Sequence, residues 1–254
     1  MAESFTDLAA LRAAGFDDWI DVRSPAEFAE DHLPGAINLP VLSNAERAEV
    51  GTIYVQESRF RAKRIGAAKI ARAVARHLDG PLSDRPAGWR PLVYCWRGGQ
   101  RSGAMATILT QIGWRAETLS GGYRSWRRHV VAALYDTPLA HRLVLLDGNT
   151  GTGKTALLPR LAERGVQVID LEGLAAHRGS LFGGVAEPQP AQKLFDSRVM
   201  AALSALDAGR VTVVEAESNH IGRLLVPPSL WAAMKLAPRI AISAPLPARA
   251  AFLA

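Results

Sequence analysis

The sequence predicts an α/β protein made of two consecutive modules, each built around a parallel β-sheet. Three observations lead to this expectation. Short apolar stretches alternate with helical patterns along the chain, one such stretch ends in a cysteine-containing loop, and another ends in a glycine-rich loop. A length of 254 residues, 48% of them hydrophobic and 21% charged, suits two ordinary folded domains. We expect a first module over residues 1–135, a second over 136–254, and a short linker near 129–141.

In the first module, short strands alternate with helices, which favours a parallel sheet. Ser24, Pro25 and Glu27 form a capping box with proline at the first helical position, so a helix should begin directly after the first strand. The elements expected in order are a strand at 19–23, the helix from 25, a strand at 35–40, a helix at 59–78, a strand at 91–94, a helix at 102–112, a strand at 116–119 and a closing helix after the Gly121-Gly122 turn.

The helix at 59–78 combines apolar and basic residues. Its expected buried face consists of Ala68, Ala71, Val74, Ala75 and Leu78. The opposite face then carries three cations, Lys69, Arg72 and Arg76. A solvated outer face and a contact with RNA explain these cations equally well.

The only cysteine, Cys95, follows the apolar stretch at 91–94 and begins a loop that leads into a helix. Glycines at 98 and 99 allow backbone N–H groups to point inward around a thiolate, and the positive end of the helix favours an anion. Arg97 and Arg101 add full charges. Because these features lower a thiol pKa and form a cradle for a tetrahedral oxyanion, Cys95 is predicted to be a nucleophile rather than a structural cysteine.

The second module begins with an apolar strand at 142–147 and continues with the pattern Gly-x-x-x-x-Gly-Lys-Thr. This strand–loop–helix setting is the one that a phosphate loop requires. The glycines of the loop allow its backbone to wrap a phosphate chain, Lys154 reaches the terminal phosphate, and the Thr155 hydroxyl is placed to hold Mg²⁺. A helix should continue through Ala162, with buried parallel strands at 166–171 and 211–215.

Acidic residues stand at the ends of these later strands. Asp170 lies near the end of the first, and Glu215 ends the second and is followed by Glu217. Ligand sites in α/β proteins form at the carboxyl ends of parallel strands. We therefore expect these acids to assist the phosphate loop, and the alternative interpretation for Glu215 and Glu217 is a charge at the start of a helix.

Composition limits the classes of partner. No apolar stretch reaches the roughly 18 residues that span a bilayer, and the first residues lack the pattern of a signal peptide. We therefore expect a cytoplasmic protein that does not bind a membrane and keeps its single thiol reduced. The 30 Lys and Arg residues exceed the 24 Asp and Glu residues by six. This mild excess permits a polyanionic partner without requiring one.

Several segments of the first module resemble the rhodanese family: 21–28, 32–40, the Cys95 loop and 119–126. The resemblance implies that Cys95 is the rhodanese nucleophile. Five residues separate Cys95 from Arg101, whereas sulfur-transfer rhodaneses commonly have four. The longer loop is similar to that of phosphatases in this superfamily, so we expect it to accept a tetrahedral group of the size of phosphate.

Nearly the whole chain resembles the bacterial tRNA 2-selenouridine synthase family, in which a rhodanese domain is fused to a P-loop domain of NTPase-like fold. The segments 44–52, 171–180 and 215–218 carry this resemblance together with the two loops. The family converts wobble 2-thiouridine in tRNA to 2-selenouridine with selenophosphate, and it transfers a geranyl group to the same sulfur from geranyl diphosphate. Its members usually continue well beyond the length of this chain, so we expect the family's C-terminal part to be absent from it.

This resemblance implies two sites, with the tRNA anticodon loop as partner. Around the catalytic Cys95, the residues expected to bind selenophosphate are Arg97, Gly98, Gly99, Gln100, Arg101 and Ser102. The residues expected to bind diphosphate are Gly148, Asn149, Thr150, Gly151, Thr152, Gly153, Lys154 and Thr155, with Asp170, His177, Arg178, Glu215 and Glu217 as candidate helpers. No tightly bound cofactor is expected, and Thr155 is the candidate Mg²⁺ ligand. Selenium would reach the base either directly or through a selenosulfide on Cys95. Trp96 would either stack on a displaced base or form the apolar floor of the loop.

Three other functions fit the same motifs. A nucleotide-dependent phosphotransferase or ATPase would place ATP in the phosphate loop, although Glu215-Ala216-Glu217 differs from the usual apolar strand followed by aspartate. A non-catalytic module would only hold anions in the two loops. A thiosulfate sulfurtransferase would use Cys95, but the longer loop disfavours it. The sequence does not distinguish ATP from a prenyl diphosphate, and it gives no oligomeric state.

Overall fold

A computed structural model describes residues 2–5, 7–177 and 188–253. The chain divides into two compact units, Met1–His129 and Val130–Ala254, and each is built around its own parallel sheet. Within the described ranges, no helix combines the length and the apolar character that a membrane crossing needs. The α/β fold class predicted from the sequence is confirmed.

The first unit contains a five-stranded parallel sheet in the order β1-β5-β4-β2-β3. Its strands are β1 (Ala2–Ser4), β2 (Asp18–Asp21), β3 (Ile37–Asn38), β4 (Pro91–Tyr94) and β5 (Glu117–Ser120). Its helices are α1 (Leu8–Ala13), α2 (Pro25–Glu30), α3 (Asn44–Gln56), α4 (Arg59–Asp79), α5 (Gln100–Ile112) and α6 (Tyr123–Val131), the last of which extends past the boundary between the units. The predicted capping box of Ser24 and Glu27 is present at the start of α2.

The central position of β4 explains where the Cys95 loop lies. All four residues of β4 are buried, as expected for an interior parallel strand that is covered on both faces. Val93 belongs to a core cluster with Ile20 from β2 and with Met105 and Leu109 from α5. Cys95 follows directly, so the loop starts from a rigid strand end in the middle of the sheet.

Helix α4 buries a different face from the one predicted. Its buried residues are Ala62, Gly66, Ile70, Ala73 and Val74. Ala68, Ala71 and Ala75 are exposed, so of the predicted face only Val74 is buried and Leu78 is half-buried. The reason is that Ile70 packs with Ala73 and Val74 into the core of the first unit, where it buries more apolar surface than the alanines of the predicted face would.

The three cations of α4 also differ from one another. Arg72 and Arg76 are exposed, as predicted. Lys69 instead is half-buried and pairs with Glu46 and Glu49 of α3, at 3.5 and 3.1 Å. Lys69 therefore holds two helices together, and it does not lie on the solvated face.

The second unit contains a four-stranded parallel sheet in the order β11-β6-β8-β7 and a two-stranded antiparallel hairpin. Its strands are β6 (Arg142–Asp147), β7 (Gln167–Ile169), β8 (Val211–Glu215), β9 (His220–Ile221), β10 (Leu224–Leu225) and β11 (Arg239–Ala241). Its helices are α7 (Lys154–Ala162), α8 (Leu171–Ala175), α9 (Gln192–Ser204), α10 (Pro228–Leu236) and α11 (Leu246–Leu253). The phosphate-loop segment follows β6, which is an interior strand of the four-stranded sheet.

The segment predicted to be a linker, 129–141, is mostly helical. After α6 ends at Val131, a π-helical turn continues over Ala132–Asp136. Leu134 in this turn is fully buried, and the Tyr135 hydroxyl donates a hydrogen bond of 3.0 Å to Asp196 on α9. The boundary between the two units, at His129 and Val130, lies inside this segment, but its helical residues pack within the second unit.

Candidate functional site

Cys95 lies at the carboxyl end of β4 and is buried, with 4% of its surface exposed. Two groups donate hydrogen bonds to its sulfur, the backbone N–H of Gly99 and the hydroxyl of Ser102, each at 3.2 Å. Burial by itself would raise the pKa of Cys95, but the hydrogen bonds from Ser102 and Gly99 and the charge of Arg101 lower this pKa below that of an ordinary thiol. The arrangement therefore favours a thiolate, the reactive form of cysteine.

The Gly121-Gly122 turn after β5 supports the Cys95 loop. The N–H of Tyr123 donates to the Cys95 carbonyl at 2.9 Å. Gly122 has a φ of 57°, and a β-carbon there would overlap the Cys95 carbonyl oxygen. Gly98 has a φ of 68°, and a β-carbon there would lie 2.5 Å from the Leu119 carbonyl oxygen. Both glycines are therefore required because two backbone turns are in direct contact.

Trp96 lies beside this turn. Its ring centroid is 5.3 Å from that of Tyr123, and 37% of its surface remains exposed. Tyr123 is held in place, because its hydroxyl donates to Asp31 at 2.6 Å and the Arg23 guanidinium lies 3.9 Å from its ring centroid. Trp96 thus packs against a fixed ring, as expected if it forms the floor of the loop. Part of its own surface faces solvent, as a stacking contact with a displaced base would require.

Arg101 is paired, contrary to the simplest expectation for an anion-binding residue. Its two terminal nitrogens donate to the carboxylate of Glu27 at 2.8 and 3.3 Å. The same carboxylate accepts hydrogen bonds from the N–H and hydroxyl of Ser24, at 3.0 and 3.1 Å. Burial would raise the pKa of Glu27, but Arg101 and Ser24 outweigh it and hold this pKa at about 2. Glu27 was identified from the sequence only as a capping residue, and its contact with the loop was missed.

The other predicted residues of this loop, Arg97, Gly98, Gly99 and Gln100, are exposed. Gly99 occupies the N-cap position of the 13-residue helix α5. The loop thus presents a thiol, the N-terminus of a helix and the side chain of Arg97 at one end of the sheet. These groups together suit a tetrahedral anion in contact with a nucleophile.

In the second unit, the segment after β6 adopts a phosphate-loop conformation. Gly148, Gly151 and Gly153 have φ values of 156°, 84° and 80°. Lys154 is the first residue of α7, and its ammonium group donates to the Gly148 carbonyl at 2.6 Å. This hydrogen bond joins the two ends of the loop. The lysine and the backbone of 148–153 therefore lie together at the helix N-terminus, where an anion is favoured.

Three carboxylates lie next to this loop. One oxygen from each of Glu172, Glu215 and Glu217 falls within 4.8 Å of the others, and the Thr155 hydroxyl donates to Glu172 at 3.3 Å. Glu215 is completely buried, and neither of its carboxylate oxygens has a hydrogen-bond partner among the described residues. The site therefore places the predicted residues Thr155, Glu215 and Glu217 together, and it adds Glu172.

Burial and mutual repulsion raise the pKa values of all three carboxyl groups in this cluster. Burial raises the pKa of Glu215 to about 7, and the charges of Glu172 and Asp170 add to the effect. Burial, followed by the charge of Glu217, raises the pKa of Glu172 to about 7. Burial and the charge of Glu215 also raise the pKa of Glu217. Carboxylate and hydroxyl oxygens are ligands for Mg²⁺, so the donor set fits this ion.

The remaining candidate helpers have different positions. Asp170 caps α8, since its carboxylate accepts a hydrogen bond of 2.8 Å from the Gly173 N–H. His177 follows α8, and its backbone N–H donates to the Glu172 carbonyl at 3.0 Å. Arg178 lies outside the described residues. Of the predicted helpers, Glu215 and Glu217 thus form the cluster with Thr155, whereas Asp170 acts on it through its charge.

Two family models match the chain in succession. The rhodanese-like domain matches residues 4–129, and the tRNA 2-selenouridine synthase AAA domain matches residues 141–254. The first match contains the Cys95 loop, and the second contains the phosphate loop and the three carboxylates.

Curated relatives match across both units. The tRNA 2-selenouridine synthase of Bdellovibrio bacteriovorus is 35% identical over 242 residues, which cover 91% of this chain and 62% of that protein. The protein of the same name from Nitrosomonas europaea is 35% identical over 96% of this chain and 64% of its own length. That from Chromohalobacter salexigens is 38% identical over 89% and 61%. The chain thus spans somewhat more than 60% of the length of these relatives.

Proposed function

The chain belongs to the tRNA 2-selenouridine synthase family, and on this premise we propose that it is a tRNA-modifying transferase with two separate anion sites. Its substrate is the wobble 2-thiouridine of tRNA, its selenium donor is selenophosphate, and S-geranylation from geranyl diphosphate prepares the sulfur for exchange. The observation that carries the proposal is the pairing of a buried thiol that accepts two hydrogen bonds in one unit with a complete phosphate loop in the other.

The phosphate loop is the site of geranyl transfer. The diphosphate group lies against the backbone amides of residues 148–153, and the charge of Lys154 stabilises it as it leaves. The thiouridine sulfur attacks the allylic carbon, the carbon–oxygen bond to the diphosphate breaks, and the diphosphate takes the electron pair. Thr155, Glu172, Glu215 and Glu217 would hold Mg²⁺, which supplies charge neutralisation for the leaving diphosphate.

The Cys95 loop is the site of selenium transfer. Arg97 and the N-terminus of α5 bind the phosphate head of selenophosphate beside the Cys95 thiolate. The selenium atom of selenophosphate attacks C2 of the base, the C2–S bond breaks, and geranylthiolate leaves. Water then cleaves the selenium–phosphorus bond, which gives 2-selenouridine and inorganic phosphate. Arg101 acts mainly through Glu27, because this bidentate pair fixes the loop against α2. The exposed part of Trp96 supports a stacking contact with the base, which contributes roughly 1–3 kcal/mol in other complexes.

A second candidate function is a nucleotide-dependent phosphotransferase or ATPase. The observation in its favour is the geometry of the phosphate loop itself, which accepts the phosphates of ATP as well as those of a prenyl diphosphate. The buried Glu215 at the end of β8 occupies the position in which nucleotide hydrolases place a metal-binding acid. This function requires ATP turnover, whereas the first does not.

Mass spectrometry of tRNA nucleosides tests the proposal. Cells that contain the gene should yield 2-selenouridine and S-geranyl-2-thiouridine, and a deletion strain should yield only 2-thiouridine at the same position. The purified protein should not hydrolyse ATP at a rate that tRNA stimulates. Identical nucleosides in both strains, together with ATP turnover, would overturn the proposal in favour of the second candidate.

A further inference from the structure

Arg101, at the end of the Cys95 loop, has a side chain that Glu27 already engages. It lies in the first turn of α5, next to Ser102, whose hydroxyl donates to the Cys95 sulfur. An arginine at this place is suited to bind an oxyanion beside the thiol, because a guanidinium can donate two parallel hydrogen bonds to it. Both terminal nitrogens of Arg101 donate instead to Glu27, and the two side chains are only 17% and 16% exposed.

Glu27 is held in place independently of Arg101. Its carboxylate accepts hydrogen bonds from the N–H and the hydroxyl of Ser24 in the capping box of α2. Arg47 of α3 lies 4.0 Å from the same carboxylate. Burial would raise the pKa of Glu27, but Arg101 and Ser24 hold it at about 2, so the carboxylate is ionised near neutral pH. A fixed carboxylate therefore positions the arginine.

The pair changes the charge that the Cys95 loop presents to an anion. A guanidinium bound to a carboxylate exerts little net charge on a third group. The attraction for an anion then comes from Arg97, which is exposed, and from the N-terminus of α5. Such a modest charge suits a loop that has to release a doubly charged product, because a strongly cationic loop would retain it.

We propose that Glu27 is a positioning residue that withholds Arg101 from an oxyanion in the Cys95 loop, and that it thereby limits the affinity of the loop for doubly charged tetrahedral anions such as inorganic phosphate. This inference rests on the proposed function, in which the loop takes up a phosphate-bearing donor and releases inorganic phosphate. An unpaired Arg101 would hold that phosphate through a bidentate, charge-assisted contact and slow its departure. Glu27 prevents this contact without touching the reacting atoms.

Protection of Cys95 from iodoacetamide by inorganic phosphate tests this role. Cys95 is the only cysteine in the sequence, so the alkylation rate reports on one thiol. Glu27→Gln keeps an oxygen that can accept from Ser24 but removes the charge. We expect this variant to bind phosphate about tenfold more tightly and to shift the alkylation midpoint to lower pH, because Arg101 is no longer neutralised. A pair whose sole role is to brace the loop predicts the opposite signs, weaker phosphate binding and a midpoint at higher pH.

Two further variants separate the effect of charge from that of structure. Glu57→Gln is the matched control, because it removes a carboxylate from another arginine pair of the same unit, the exposed pair with Arg61. It should change neither phosphate binding nor the alkylation midpoint. The double variant Glu27→Gln/Arg101→Gln should lose most of the gain in phosphate affinity. A double variant that binds phosphate as tightly as Glu27→Gln alone would show that the gain does not come from Arg101, which would overturn the inference.

The outcomes separate this inference from the proposed function. Phosphate protection that is unchanged or weaker in Glu27→Gln, whether through a loosened loop or through loss of folding, would overturn the role of Glu27 alone. So would the absence of phosphate protection in a protein that still forms 2-selenouridine. Failure of the unmodified protein to form 2-selenouridine would overturn the proposed function, whereas the change in phosphate affinity on Glu27→Gln would still decide the role of Glu27.

Discussion

We expect the reactivity of Cys95 to depend on single hydrogen bonds to its sulfur. Burial opposes the thiolate, and the hydrogen bonds from Ser102 and Gly99 together with the charge of Arg101 outweigh it and lower the pKa of Cys95. We expect Ser102→Ala to raise the thiol pKa, because it removes one donor and leaves the burial unchanged. The measurement is the rate of Cys95 alkylation by iodoacetamide as a function of pH. The midpoint should move to higher pH, and the rate at neutral pH should fall several-fold.

The control for this experiment is Ser83→Ala, which removes an exposed serine hydroxyl that bonds only to the Gly80 carbonyl within the described residues. It should leave the pH profile of Cys95 unchanged. An alkylation midpoint in Ser102→Ala equal to that of the parent would show that the hydroxyl does not stabilise the thiolate.

We expect Glu215 to make the stability of the second unit depend on pH and, if the carboxylate cluster binds Mg²⁺ as proposed, on this ion. Its pKa is raised from the ordinary 4.5 to about 7 by burial, so the protonated form favours the folded state. This contribution is fully present below about pH 4.5 and is lost as the pH rises through about 7. In chelator, we therefore expect the melting temperature to fall between about pH 5.5 and pH 8. Mg²⁺ should restore it at the higher pH, because the ion binds the deprotonated carboxylates.

Glu215→Gln provides the comparison, since it keeps the shape of the side chain and cannot ionise. The variant should lose part of the pH dependence and most of the stabilisation by Mg²⁺. A Mg²⁺-induced shift in melting temperature as large in this variant as in the parent would rule out the carboxylate cluster as the metal site.

At the scale of single residues, those that belong to a contiguous motif could be predicted from the sequence. Those whose partners are distant along the chain could not. Cys95 and Lys154 stand in contiguous loops after apolar strands, so their positions could be predicted from the order of residues alone. The Glu27–Arg101 pair joins residues 74 positions apart, and only the parallel neighbours β2 and β4 bring them together. Glu172 is separated by 43 positions from Glu215, and it joins the cluster because β7 and β8 end side by side.

At the scale of structural elements, the conformation of the Cys95 loop depends on its contact with the Gly121-Gly122 turn. A substitution in the second turn should therefore disrupt the first. Gly122→Ala places a β-carbon on the Cys95 carbonyl oxygen at a positive φ, so we expect it to destabilise the first unit by more than about 1 kcal/mol. It should also slow alkylation of Cys95.

Gly103→Ala is the matched glycine control on helix α5, which follows the same loop. A β-carbon at Gly103 meets no atom within 4 Å, and alanine readily adopts the helical backbone conformation of this position. Urea unfolding should give nearly parental stability for this variant. Equal loss of stability in the two variants would contradict the assignment of the strain to the contact between the turns.

The strands and helices were predictable where burial produces a continuous pattern. The central strands β4, β6 and β8 are apolar runs at nearly their predicted positions, because parallel strands are covered on both faces. Short elements such as β9, β10 and α8 carry too few residues to show a period. The buried face of α4 was misjudged because alanine fits both an apolar stripe and an exposed helix surface, and only packing against α3 decides between them.

At the scale of the whole molecule, each unit places one candidate anion site at the carboxyl end of its own parallel sheet. The Cys95 loop follows β4, and the phosphate loop follows β6. Each site has its own charged or nucleophilic group, Cys95 in one and Lys154 in the other. The proposed function assigns one chemical step to each site, so variants in one unit should block one step and spare the other.

The most direct test is mass spectrometry of nucleosides from 2-thiouridine tRNA after incubation with geranyl diphosphate, selenophosphate and Mg²⁺. Cys95→Ala should accumulate S-geranyl-2-thiouridine and form no 2-selenouridine, because geranyl transfer needs no thiolate. Lys154→Ala should slow geranylation by about 10²–10³, yet it should convert tRNA that is already geranylated. Loss of both products to the same extent in both variants would contradict the division of the two steps between the two units.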